Sequence, residues 1–251
     1  MGENLSFISQ PPLWDSFTAR IFEVTNLALR LMRNASTLPE DEVDLNIEFG
    51  HCVREALWQL KDSDEGFDFT PSYDGLNQPH GARGKHDKKK PDLQWIMKNS
   101  HAQTQEEHFR VFAMECKRLG RPSSKSWVLN RLYITNGVCR FIKAEYSYGS
   151  PKYNPSYAMV GYVQSMALDD ILKEVNESAK ACSVSAIKLP VDGWKEKDIS
   201  RLAQQHDRPE IHDTPLTLHH LWIDIRDIQM IPAKKTNTTK RRAKGSKKNA
   251  K

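Results

Sequence analysis

A glutamate and a lysine two residues apart, Glu115 and Lys117, follow the apolar run Phe109-Arg110-Val111-Phe112-Ala113-Met114. Side chains alternate along a strand, so these two project to one face while Met114 and Cys116 project to the other. Asp92, earlier in the chain, follows Pro91 at the head of a second strand-like run and adds a carboxylate to the same spot. Two carboxylates beside a phosphodiester suit a hard cation, Mg²⁺, with Mn²⁺ as a substitute. A neighbouring ammonium stabilises charge developing on phosphorus or orients the attacking water. Another acid-x-Lys triplet, Asp87-Lys88-Lys89, sits in a polar stretch without apolar flanks and reads as solvated charge.

The elements that must position these groups are legible from periodicity. Helices are expected over about 17–32 and 41–60. Pro11 and Pro12 are read as breaking any helix over 1–20. Strands are expected over 91–97 and 109–116. A long helix, capped by Ser123 or Ser124, carries Trp127, Ile134, Val138, Phe141 and Ile142 on its apolar side. A buried strand over 158–163 follows, then an amphipathic helix marked by Leu168, Ile171, Leu172 and Val175. Strands near 184–189 and 221–226 complete the sheet. Residues 146–157, with four tyrosines and two prolines, read as a loop.

Pro91-Asp92, Glu115-x-Lys117, the preceding helix 41–60, the following helix 123–143 and the strand 158–163 together resemble the PD-(D/E)XK nuclease superfamily. The resemblance spans roughly residues 41–175. It implies an α/β fold with a restriction-endonuclease-like αβββαβ core, a central mixed sheet flanked by helices. It also implies Mg²⁺ dependence and cleavage of DNA, less often RNA. Carried over by position, Asp92 and Glu115 are the metal-binding acids and Lys117 the catalytic lysine. The first core helix of the family often adds an acid, for which Glu42, Glu48 and Glu55 are all candidates. The segment from Arg140 through Val163 is also similar to members associated with bacterial restriction and phage defence. That setting brings in an accessory defence subunit and a homodimer as candidate partners.

Lys125 with Arg131 and Arg140, nine residues apart and read as sharing roughly one helix face, are candidate DNA-backbone contacts. So are Lys88, Lys89 and Lys90. His219-His220 is read as structural, because neighbours in a strand point to opposite faces. His80, His86, His101 and His108 scatter over the loops around the centre. The four cysteines lie singly, without C-x-x-C spacing, and are read as reduced and buried. The net charge of +5 resides in the segment 232–251, which holds nine Lys/Arg and no acid; the rest carries 28 basic and 32 acidic side chains. This tail is expected to be disordered and to act as a phosphate-binding arm. The domain plan is therefore a helical extension over 1–40, a nuclease-like domain over 41–231 and a basic tail over 232–251. No apolar run approaches the ~20 residues of a membrane span, and the N-terminus lacks a signal-peptide pattern, so a cytoplasmic protein is expected. The alternative function is a catalytically silent nuclease fold that binds nucleic acid, or acts as a scaffold, within a larger complex.

Overall fold

Asp41 starts the helix that matters most to the site. Its Oδ1 accepts the backbone N–H groups of Val43 (3.0 Å) and Asp44 (3.1 Å), two donors that the first turn leaves without partners. The computed structural model describes residues 11–63, 70–73, 90–98, 102–104, 108–143, 148, 156–189, 191–208 and 212–232. Within them the chain is α/β. Four helices flank a six-stranded mixed sheet: α1 (Pro11–Arg33), α2 (Glu42–Gln59), α3 (Leu129–Leu132, Tyr133–Val138 and Cys139–Ile142 in one run) and α4 (Leu168–Ala181). The strands of that sheet are β2 (Ser72–Tyr73), β3 (Leu93–Lys98), β4 (Phe109–Leu119), β5 (Ser156–Val163), β6 (Ile199–Arg208) and β7 (His212–Asp224), in the order β2-β3-β4-β5-β7-β6. β4, β5 and β7 are mutually parallel, and the other neighbours are antiparallel. A separate parallel pair joins β1 (Thr37–Pro39) to β8 (Gln229–Ile231).

The sheet separates two cores, and β4 and β5 feed both. Phe112, Met114 and Cys116, with Ala158, Val160 and Tyr162, pack beneath α1 and α2. Ala113 and Leu119, with Tyr157, Met159 and Val163, pack beneath α3 and α4. Central parallel strands are covered on both faces, hence the nearly unbroken apolar run of β5. Glu115 and Lys117 fall on the α3 side of β4, among apolar neighbours.

Several boundaries differ from expectation. α1 starts at Pro11 rather than being broken by the prolines, because the first-turn N–H that proline lacks has no helical partner anyway. α3 starts at Leu129, not at Ser123 or Ser124: Ser124 Oγ instead accepts from the Trp127 N–H (3.1 Å) in a turn, and Trp127 is half exposed. The strand near 184–189 reduces to a single bridge, Lys188 to Ala203. The basic stretch 83–89 with Lys88 and Lys89, His80, His86, His101, most of the loop 146–157 and the tail from residue 233 lie outside the described residues. All four cysteines are free, and Cys52, Cys116 and Cys139 are buried. Among the described residues no helix is long and apolar enough to cross a membrane.

The two histidines do face opposite ways. His219 meets the Phe22 ring of α1 edge-on, whereas His220 is fully buried on the α3 side. There the Tyr133 hydroxyl lies 2.8 Å from His220 Nδ1 and accepts the Trp222 indole N–H at 3.1 Å. Burial, with a smaller contribution from His219, pushes the His220 imidazole down to about 3. The unfolded chain takes up this proton near pH 6.5 and the folded chain does not. The His220 contribution to stability is therefore complete above pH 6.5 and is lost as pH falls towards 3, by up to roughly 5 kcal/mol. Urea midpoints at pH 7, 5.5 and 4 should show a shallower acid loss in His220→Gln than in the parent chain; parallel curves would contradict the burial argument.

Candidate active site

Asp92 stands immediately before β3, whose first residue, Leu93, pairs with Met114. Asp92 is thereby level with Glu115, and its Oδ2 accepts the Cys116 N–H at 2.7 Å. Lys117 lies within β4, two residues before its end, since the strand runs to Leu119 rather than stopping at Cys116. Gly120 then turns the chain: its φ of 133° suits glycine, and a Cβ there would meet Ser165 Oγ at 2.4 Å. The buried Asn130 ties this turn to α3, accepting the Gly120 N–H at 2.9 Å while donating to Glu174 of α4 at 2.8 Å.

Three carboxylates converge on the Lys117 ammonium. Its Nζ lies 2.8 Å from Glu42 Oε1, 2.9 Å from Glu115 Oε1 and 3.6 Å from Asp92 Oδ2, and it also donates to the Cys116 carbonyl at 2.7 Å. Burial alone would favour the neutral amine. Glu115, Asp92 and Glu42 more than offset that and hold the group charged, above the ordinary lysine range. Burial also raises Asp92, against the pull of Lys117 and the Cys116 N–H. Glu115 is pushed up to about 8, first by complete burial and then by Asp92, with Lys117 and Arg140 opposing. Its Oε1 is shared between Lys117 and Arg140. Its Oε2 is buried with no hydrogen-bond partner. Leaving a buried carboxylate oxygen unsatisfied is costly, so such an atom marks a place for an ion or water.

The Arg140 contact depends on α3 being irregular. Residues Tyr133–Val138 form a π-helical turn, a distortion common at functional sites. Gly137 in this turn lets the helix approach β4 and β5: an added Cβ would lie 2.5 Å from Met159 Cε and 3.4 Å from Lys117 Cγ. Beyond the turn, Arg140 donates to Glu115 and to the Tyr148 hydroxyl (3.1 Å), which in turn donates to the Lys90 carbonyl at 3.0 Å. This chain of contacts joins α3 to the backbone just ahead of Asp92.

The structure thus brings Asp92, Glu115 and Lys117 together and selects Glu42 among the three helix acids. Glu55 is exposed and accepts from Gln59 (2.9 Å); Glu48, half-buried, lies near Cys52 further along α2. Arg140 is not an open phosphate contact: its guanidinium is spent on Glu115 and Tyr148. Arg131 makes no part of these contacts. The π-helical turn between Arg131 and Arg140 breaks the α-helical register on which a shared face would rest, and Arg131 is exposed. Lys125 and Lys90 are exposed as well, and His108 packs its ring against Phe109. Comparison with protein families, with curated proteins and with solved structures finds no match to this chain. Among the described residues, no group of three His, Cys, Asp or Glu side chains is arranged to hold a metal. The Lys117 ammonium lies within 4 Å of all three carboxylates.

Sequence reading missed Arg140 as the partner of Glu115, and Tyr148 behind it. Gly137, a lone glycine inside a helical pattern, was the available signal that the helix comes unusually close to the sheet.

Proposed function

We propose that this protein is a divalent-metal-dependent nuclease of the PD-(D/E)XK type, with α2, β2, β3, β4, α3 and β5 as its restriction-endonuclease-like core. One observation carries the reading: Asp92 and Glu115 meet Lys117 in a buried cluster, and Glu115 keeps one oxygen without a partner. The donor set fits a hard cation, since it consists of carboxylate oxygens and includes an orphaned one. Asp92 and Glu115 would hold the ion, Mg²⁺ or Mn²⁺. When bound, such an ion polarises the phosphate and acidifies a coordinated water. Lys117, held charged by its neighbours, stabilises negative charge on the scissile phosphate. Glu42 fixes the position of that ammonium from the start of α2, and Arg140 fixes the Glu115 carboxylate from α3. DNA is the proposed substrate and bacterial restriction or phage defence the proposed setting, both resting on the resemblance of the motifs.

One observation favours the alternative, a silent nucleic-acid-binding or scaffold subunit: the centre already neutralises itself with Lys117 and Arg140 and offers no ready three-ligand group. A metal-dependence assay separates the two readings. Circular single-stranded DNA, circular duplex DNA and RNA are incubated with the full chain in Mg²⁺, Mn²⁺ or EDTA. The nuclease reading expects nicking or linearisation in either metal and none in EDTA. Intact substrates under every metal condition would leave the silent subunit.

A further inference from the structure

Beside the catalytic cluster, α2 borders a cleft of about 490 Å³, within the ~300–1,000 Å³ range of small-ligand sites. Asp92 lines it, so the cleft opens onto the centre. Its α2 wall is a row spaced by threes and fours: Val43, Ile47, Gly50 or His51, and Arg54. Val43 is 68% and Ile47 55% exposed, and one helical turn apart they present adjacent apolar surface to the cleft. Trp58 continues the row at 64% exposed, with the Lys61 ammonium 4.0 Å from its ring centroid. The remaining acids of α2, Asp44, Glu48 and Glu55, belong to the adjacent row and do not line the cleft.

The far wall is Tyr73 of β2, and the sequence of α2 is shaped to receive it. The Tyr73 hydroxyl donates to the Gly50 carbonyl at 3.1 Å, and a Cβ on residue 50 would meet the ring at 3.0 Å. Glycine inside a helix costs about 1 kcal/mol relative to alanine, and here it gives the ring a seat. Tyr73 remains 37% exposed. Arg54 also is held in place, donating to His51 Nδ1 at 2.6 Å. An aromatic ring, an apolar floor and an anchored guanidinium therefore share one concave surface.

We propose that this cleft seats unpaired nucleotides of the strand to be cut, as single-stranded DNA or RNA or as an opened end of a duplex; the inference rests on the nuclease reading for its catalytic meaning. A closed duplex keeps its base faces stacked inside and has no use for an apolar and aromatic floor. An unpaired strand offers those faces to Tyr73, Val43 and Ile47, and its phosphates to Arg54. Continuity through Asp92 leads the strand to Glu115 and Lys117.

Binding is measured apart from cleavage. Fluorescein-labelled dT15, and a 15-base-pair duplex, are titrated with the full chain in EDTA across a salt series. Single-stranded dT15 binds more tightly than the duplex. Arg54→Ala lowers the magnitude of the log affinity against log salt slope by about 0.7, the loss of one single-strand phosphate contact. Ile47→Asp and Tyr73→Ala each weaken dT15 binding about tenfold. Ile47 is exposed, so its variant folds, which circular dichroism verifies. A 5-iododeoxyuridine oligonucleotide crosslinks to Tyr73 on irradiation. Preference for duplex, or unchanged dT15 binding in both Arg54→Ala and Ile47→Asp, overturns the proposal. Cleavage by the parent chain together with unchanged binding in those variants removes the cleft and leaves the nuclease reading standing. Cleft-dependent binding without cleavage in any metal does the reverse.

Discussion

Lys117→Met and Glu115→Gln each lower the initial rate of metal-dependent cleavage at saturating substrate by at least about 10²–10³-fold, the usual cost of removing one preorganised group that meets transition-state charge. The two variants arrive there by different routes. Glu115→Gln keeps the shape of the side chain but removes the carboxylate that would face the ion in the nuclease reading. Lys117→Met keeps most of the volume but strips Glu42, Asp92 and Glu115 of their shared cation. It should also lose about 3–5 kcal/mol of stability, as when one member of a buried ion pair is deleted. Thermal melting alongside the rate assay separates lost chemistry from lost fold. Cleavage at the parent rate by both well-folded variants would place the centre elsewhere.

Arg140→Met gives the second large effect, and it tests a role that sequence reading had assigned differently. As a phosphate contact, Arg140 would contribute about 0.9 to the salt slope on duplex DNA and little to stability. Bound to Glu115 and Tyr148, it should behave in the opposite way. The expected results are a loss of about 3 kcal/mol, seen as a melting temperature several degrees lower, an unchanged salt slope and a reduced cleavage rate at saturating metal. Arg140→Lys should restore part of the stability, since it keeps the charge without the guanidinium fork. A flattened salt slope with unaltered melting would return Arg140 to the phosphate backbone. Neither the Lys117 nor the Arg140 readout presupposes the occupant of the α2 cleft.

The centre of the site was readable because strand alternation is rigid. Once 109–116 is a strand, Glu115 and Lys117 must share a face, and Pro91-Asp92 falls level with them through antiparallel pairing. Choosing Glu42 over Glu48 and Glu55 needed the docking of α2 on the sheet, and helical spacing within α2 carries no trace of that. The partners of Arg140, Glu115 and Tyr148, are not legible in helical spacing, because the π-helical turn ahead of it changes the register of α3. β6 was missed because its inward positions include Ser200 and Gln204, so the alternation is one of burial rather than of hydrophobicity. The β1–β8 pair was missed because strands so short carry too little pattern, and each has its partner near the opposite end of the described chain.

That short parallel pair affects when the entry to α2 is secured. Glu40 N–H donates to the Ile231 carbonyl at 3.0 Å, and the Glu40 carbonyl accepts from Arg118 (3.1 Å) and Gln164 (2.8 Å), two residues ahead of Glu42. During synthesis the N-terminal segments emerge first, so α1 and α2 leave the ribosome long before Gln229–Ile231 exists. Contacts this distant in sequence are also slow to form, because a long loop must close before any bond rewards it. The entry to α2 therefore gains this mooring only after residues 229–231 have been made. A nascent chain that has not yet reached Gln229–Ile231 carries its carboxylates and lysine without that anchor.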